Sequence, residues 1–271
     1  MHRDARAAVL MALREIYDGS WTRRLGTDGG KELHWSGKIG FLAGVTEAID
    51  QHHSVQAAFG ERFLTFRMPD TDSEAQAAKA LKFIGQEATM RHQLAGYVQR
   101  LYANMPATIQ PAPLPQSTQE RLVSLATLIT RARSAVDRDG YSREVIHIHQ
   151  DEGPARLVKQ LANLHHGLDY IGATHDQKWR VITKTAFDSI PPLRAACLKV
   201  LAFEESANTT DVGEAIQHPT TTTRRALEEL AGHSVVTREA GGQGRADIWR
   251  LNPWANRLYH DVKTPLEGAT K

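Results

Sequence analysis

The chain has 271 residues, 41% of them hydrophobic and 24% charged, with a formal net charge of +2. This is the composition of a globular protein with room for about two domains of roughly 100–200 residues. A single cysteine excludes an internal disulfide, no run nears the roughly 20 apolar residues of a membrane span, and so small a net charge does not by itself argue for nucleic acid. The expectation is a cytoplasmic protein with no membrane partner, in which Cys197 is a buried structural thiol.

Residues 2–17 predict a helix, because Ala5, Ala8, Val9, Ala12, Leu13 and Ile16 recur at helical spacing and Asp18-Gly19 stops them. Residues 20–25 and 31–35 flank the Gly-rich turn 26–30 and predict a β-hairpin. Arg23, Arg24 and Lys31 lie at its tip, where they are candidates for nucleic-acid contact. Trp21 and Trp35 are able to stack on bases, with cross-strand packing as the alternative. The apolar run 39–45 reads as a buried parallel strand, 47–59 as a helix and 63–68 as a second strand, which together make a strand–helix–strand unit. Its open edges predict self-association or a missing partner. Residues 73–105 read as helical, and 106–117 as a stiff linker containing Pro106, Pro111, Pro113 and Pro115. Helices are expected at 119–137 and 153–171, with a strand at 145–149 between them.

The last eighty residues read as a winged helix-turn-helix. Helices are expected at 193–205, 211–217 (capped by Thr209, Thr210 and Asp211) and 220–232, followed by strands at 235–239 and 247–251 around a Gly-rich tip. In that geometry the third helix enters the major groove of double-stranded DNA with its N-terminal end towards the bases. That end carries Thr220, Thr221, Thr222, Thr223, Arg224 and Arg225, residue types that hold phosphate, touch a thymine methyl or read guanine. Arg238, Arg245 and Arg250 lie on the wing, where a flanking phosphate or minor groove would be met. The module has as many Asp and Glu as Lys and Arg, so a structural or protein-binding wing is the alternative.

The front of the chain resembles the trailing part of an AAA+ ATPase module of the minichromosome-maintenance-helicase type. The helix ending Glu15-Ile16-Tyr17-Asp18-Gly19 leads into the 20–35 hairpin, as the family's helix leads into its pre-sensor hairpin. Gly44-Val45-Thr46 stands at the first sensor, with threonine in place of the usual asparagine. Gly60-Glu61-Arg62-Phe63 resembles the arginine-finger strand, and Pro154 to Leu161 resembles the lid helix with a sensor arginine at Arg156. The resemblance implies vestigial nucleotide-sensing roles for Thr46, Arg62 and Arg156. The bland alternatives are a salt bridge from Arg62 to Glu61 or Asp70, and a solvated Arg156.

A phosphate-binding loop needs G-x-x-x-x-G-K-[ST], and the nearest segment, Gly26 to Glu32, fits a hairpin turn instead. No apolar strand ending in Asp-Glu supplies the carboxylates for Mg²⁺. The chain alone is therefore expected not to hydrolyse ATP, with ATP and Mg²⁺ belonging only to a completed ATPase and no cofactor or metal of its own. The thirteen histidines include the pairs His52-His53, His147-x-His149 and His165-His166, none with metal-ligand spacing.

The expected fold class is mainly α with small β elements: a partial AAA+ α/β segment over 1–70, a helical lid over 71–184 and the winged helix over 185–271. The expected function is DNA binding without catalysis, as in a transcriptional regulator or a mobile-element protein. The alternative is an adaptor subunit that presents Arg62 to a complementary ATPase, or a truncated product of a DNA-dependent ATPase or helicase that hydrolyses ATP only with its missing half; the expected protein partner is a second copy in a homo-oligomer or a complementary ATPase subunit.

Overall fold

The computed structural model of the chain describes residues 3–26, 30–52, 62–69, 71–106, 110–151, 153–242 and 245–263. The chain divides into two compact units, residues 1–66 with 115–271, and residues 67–114. Among the described residues it is mainly helical, with three small antiparallel sheets.

In the larger unit, helix α1 (Arg3–Asp18) ends at Gly19, whose φ of +106° is reached at little cost only by glycine. Strands β1 (Ser20–Leu25) and β2 (Lys31–Ser36) form the expected hairpin, with Trp21 opposite Trp35.

The strand–helix–strand unit is a correction. Residues 39–45 and 63–68 form no strand, and the helix expected over 47–59 is replaced at its start by a 3₁₀ segment, Glu47–His52. Its remainder, 53–59, lies outside the described residues. A parallel strand lasts only with hydrogen-bonding neighbours beside it, and every strand pair among the described residues is antiparallel. The apolar side chains of the run stay out: Ile39, Phe41 and Val45 are more than half exposed and Leu42 is 100% exposed.

The core lies in the remainder of this unit. Helix α4 (Gln116–Arg133) begins at Pro115, so it starts inside the segment expected as linker. It buries Leu122, Leu125, Ala126, Leu128, Ile129 and Ala132. It stops before residue 137 because the chain turns extended at Ser134 and enters β3 (Val136–Arg138), which pairs with β4 (Val145–Ile148). Helix α5 (Ala155–Tyr170) packs on α4 through Leu157 and Leu161. Helix α6 (His175–Asp188) is set by a capping box between Thr174 and Gln177, and it runs through residue 185.

Helix α7 (Pro192–Phe203) follows, then β5 (Ala207–Asn208) and α8 (Thr209–Ala215). Asn208 caps α8, two residues ahead of the expected start, because its side-chain oxygen accepts from the Thr210 and Asp211 amides. Helix α9 (Thr220–Gly232) leads into β6 (Val236–Glu239) and β7 (Ile248–Leu251). The strand order is β5-β7-β6. Trp249 at its centre is fully buried, and its Nε1–H donates to Thr209 Oγ1 at 2.9 Å. A last helix, α10 (Pro253–Lys263), lies against α4, where Arg121 Nη2 donates to the Val262 carbonyl at 2.8 Å.

The smaller unit holds α2 (Ser73–Lys82) and α3 (Glu87–Ala103) within the stretch 73–105 that reads as helical. Gly85, at φ +79°, interrupts it. Neither helix has a buried residue.

Candidate nucleic-acid interface

The first turn of α9 is built by Pro219, whose carbonyl accepts from the Thr222 and Thr223 amides, each at 3.0 Å. Thr220 and Thr221 are exposed and Thr222 is half-buried. Thr223 is a correction to the contact set. It is fully buried, and its hydroxyl donates to the Pro219 carbonyl at 3.1 Å. It faces Gly213, where an added Cβ would lie 3.0 Å from the His218 carbonyl oxygen, so α8 and α9 approach closely there.

Arg224 and Arg225 follow on exposed positions. Arg224 Nε lies 3.0 Å from Glu228 Oε1, and its Nη2 lies 3.6 Å from Asp247 Oδ2. On the hairpin, Arg238 Nη2 lies 2.7 Å from Asp247 Oδ2, with its guanidinium 5.6 Å from the Trp249 ring centre. Arg250 Nη1 lies 2.8 Å from Glu239 Oε2. Arg225 and Arg245 are exposed, and among the described residues neither side chain meets a carboxylate. Exposed pairs of this kind are worth about 0–1 kcal/mol each, so a phosphate can displace their carboxylates.

Asp247 organises the hairpin tip. It holds Arg238 and Arg224 and accepts from the Gly241 amide at 3.3 Å. Burial pushes its carboxyl up, but hydrogen bonds from Arg238 and Gly241 and the charges of Arg238 and Arg224 outweigh this and hold it below its ordinary value. Gly241 is required beside it, because an added Cβ would lie 2.3 Å from the Ala246 carbonyl oxygen. Gln243 and Gly244 of the expected tip lie outside the described residues.

Two arginines that position α9 escape a sequence reading. Arg138, on β3, reaches Glu229 at 2.9 Å and Glu228 at 3.1 Å, and donates to the carbonyls of Arg143 and Arg225 at 2.8 and 2.7 Å. Arg194, on α7, reaches Glu229 at 2.8 Å and the Ser134 carbonyl at 2.7 Å. Together they offset the two carboxylates of α9 and tie it to a hairpin some ninety residues earlier. No local pattern links such distant residues.

At the front hairpin, Arg24 lies 3.5 Å from Glu32, its register partner, while Arg23 and Lys31 are exposed. Of the nucleotide-sensing candidates, Thr46 is exposed and its carbonyl accepts from the Ile49 amide. Arg62 is buried, with Nη2 2.9 Å from Asp18 Oδ2 and its guanidinium 5.8 Å from the Tyr17 ring centre. Arg156 is half-buried in the first turn of α5, and one turn later Gln160 Nε2 donates to the Arg62 carbonyl at 2.6 Å. The structure thus brings Arg62 to the helix that carries Arg156.

These residues do not fit a magnesium–nucleotide site. Lys31 and Glu32 sit in β2, in register with Leu25 and Arg24, rather than on a loop wrapped around phosphate. Among the described residues no three His, Cys, Asp or Glu side chains gather as metal ligands, and no helix is long and apolar enough to cross a membrane. A cleft of about 570 Å³ beside α6 includes Arg121, Trp179, Lys184 and Asp188 in its wall. Two of its cations are engaged within the protein: Arg121 lies 4.2 Å from the Trp179 ring centre, and Lys184 lies 2.7 Å from Asp188.

Comparison of the chain with models of known protein families, with curated proteins and with solved structures finds no match.

Proposed function

We propose that the chain is a non-catalytic, double-stranded-DNA-binding protein whose residues 192–251 act as a winged helix-turn-helix. One observation carries this reading: the order helix, strand, helix, helix, hairpin, closed by the sheet β5-β7-β6. In that arrangement α9 is the recognition helix. Its open first turn offers Thr220, Thr221 and Arg225 to bases and phosphates. Arg245 leads the wing contacts, and Arg224, Arg238 and Arg250 exchange a carboxylate for a phosphate when DNA arrives. The kinship to helicase-type AAA+ modules stays part of the proposal as a vestige. The burial of Arg62 against Asp18 counts against its use as an arginine finger, and so against the adaptor reading.

The test is a fluorescence-anisotropy titration of labelled duplex DNA at several salt concentrations. Arg225→Ala and Arg245→Ala should each weaken binding by about tenfold and lower the log–log salt slope by about one unit. Binding that is unchanged in the double variant, or absent from the unaltered chain at low salt, ends this reading.

A further inference from the structure

The β3–β4 hairpin lies alongside α9. At the C-terminal end of α9, Ile148 covers Gly232, where an added Cβ would lie 3.2 Å from the isoleucine Cδ1, and the Ala135 carbonyl accepts from His233 Nε2 at 3.1 Å. One guanidinium marks the other end. Arg138, paired with Val145, donates to the carbonyls of Arg143 and Arg225 at 2.8 and 2.7 Å. From Gly232 to Arg225 the helix climbs about 10 Å, and from Ile148 to Val145 the strand climbs about as far. The turn 139–144 therefore continues past Arg225 towards the first turn of α9.

This turn is tied down at its base and open at its tip. Asp139 Oδ1 accepts from the Ser142 and Tyr141 amides at 2.7 and 2.9 Å and from the Ser142 hydroxyl at 3.1 Å. Those bonds, the Ser142 amide first, turn the carboxylate inward and hold it below its ordinary value. Tyr141 is 98% exposed, so its ring contributes nothing to the packing of the chain. Arg143 sits at φ +63°, a left-handed conformation that glycine would adopt without strain. Its side chain is exposed, and among the described residues it meets no carboxylate. The strain is borne for a side chain that the fold does not use.

We propose that this tip is a second DNA-contact site, in which Arg143 and Tyr141 hold phosphates of the strand flanking the groove that α9 enters. The inference rests on the DNA-binding reading of α9 and extends it outside residues 192–251. Because Arg138 holds both of their carbonyls, Arg143 and Arg225 are neighbours, and two exposed arginines from distant parts of the chain share one patch of surface. A DNA backbone favours such a patch through the release of counterions, and a tyrosine hydroxyl donates to phosphate as arginine does. Arg138 is a positioning residue: it sets the tip against α9 while Glu228 and Glu229 balance its own charge. Glu144, exposed next to Arg143, opposes a phosphate there and so gives the proposal a signed test.

Anisotropy titrations of labelled duplex DNA with the full chain read the result. Arg143→Ala should weaken binding about three- to tenfold and lower the log–log salt slope by about one unit, and Arg143→Lys should retain the slope. Arg143→Gly is the control for folding: relieved of the strained φ, it should keep or raise the thermal transition while binding falls as in Arg143→Ala. Glu144→Gln should tighten binding about two- to threefold at low salt. Suppose the unaltered chain binds and Arg225→Ala weakens it. Binding that is then unchanged in Arg143→Ala combined with Tyr141→Ala, or in Glu144→Gln, overturns the tip as a contact and leaves the reading of α9 standing. Weaker binding by Arg143→Gly together with a lower thermal transition assigns Arg143 to the fold and overturns it as well. No binding by the unaltered chain removes both readings.

Discussion

Helices α4 and α3 are close to a matched pair, with 18 and 17 residues, yet α4 buries ten side chains and α3 buries none. Both carry apolar residues at helical spacing, and both have arginine in the last turn. The difference lies in what surrounds them. Helix α4 is packed by α5, α6, α7 and α10, which arrive from sequence positions far downstream. Helicity is a local property, whereas burial depends on where the rest of the chain, or a second chain, goes. The same contrast separates residues 39–45 from the strands of the β5-β7-β6 sheet: the run 39–45 is the more apolar, yet only the half-polar strands find hydrogen-bonding neighbours.

The largest expected effect sharpens that comparison directly. Leu125→Ala should cost about 2–5 kcal/mol in urea unfolding, because it leaves a cavity in a side-chain environment with no exposure. Leu94→Ala, on the exposed α3, should cost under about 0.5 kcal/mol in the same measurement. Equal costs would break the comparison.

Next is the ionic frame of the packed region. Arg194→Ala removes one of the two arginines that hold Glu229, and the donor to the Ser134 carbonyl, and should cost about 2–3 kcal/mol, while Arg91→Ala on the exposed α3 stays within about 0.5 kcal/mol. A silent Arg194→Ala would mean that Arg138 and apolar packing hold α9 without it.

The smallest effect concerns Asp247. Its carboxyl is depressed in the folded chain, so it contributes stability above its unfolded value of about 3.9 and loses that contribution as pH falls through the folded value. Asp247→Asn should lower stability by a small constant amount over pH 5–8 and flatten the acid limb below about pH 4. On the proposed DNA reading the same change frees Arg238 and Arg224, and duplex affinity should rise a few-fold in anisotropy at low salt. An acid limb identical to that of the unaltered chain would show that these ion pairs contribute nothing to folding.

Much of the fold is legible in residue order. Gly19 after an apolar helical stripe, the Gly-rich turn before Lys31, the threonines opening α9 and the two half-polar runs of the β6–β7 hairpin all announce their elements. Helix α10 carries a local signal in Asn252-Pro253 at its start, then Ala255, Tyr259 and Val262 at helical spacing. Strand β5, two residues long, has no periodicity to detect. At the site, the arginines could be named from the sequence, but their carboxylate partners could not. Thr223 looks like its three neighbours and differs only in facing Gly213.

The sequence by itself determined where the chain turns, where helices begin and end, and which short segments alternate as strands, because those choices rest on capping, glycine conformation and periodicity within a few residues. Only the tertiary structure decided that residues 39–45 stay out of a sheet, that Arg138 and Arg194 rather than any neighbour hold α9, and that Arg62 closes on Asp18. Each of those outcomes depends on groups dozens of residues apart meeting within 3 Å or failing to meet at all, and no local pattern encodes such a distance.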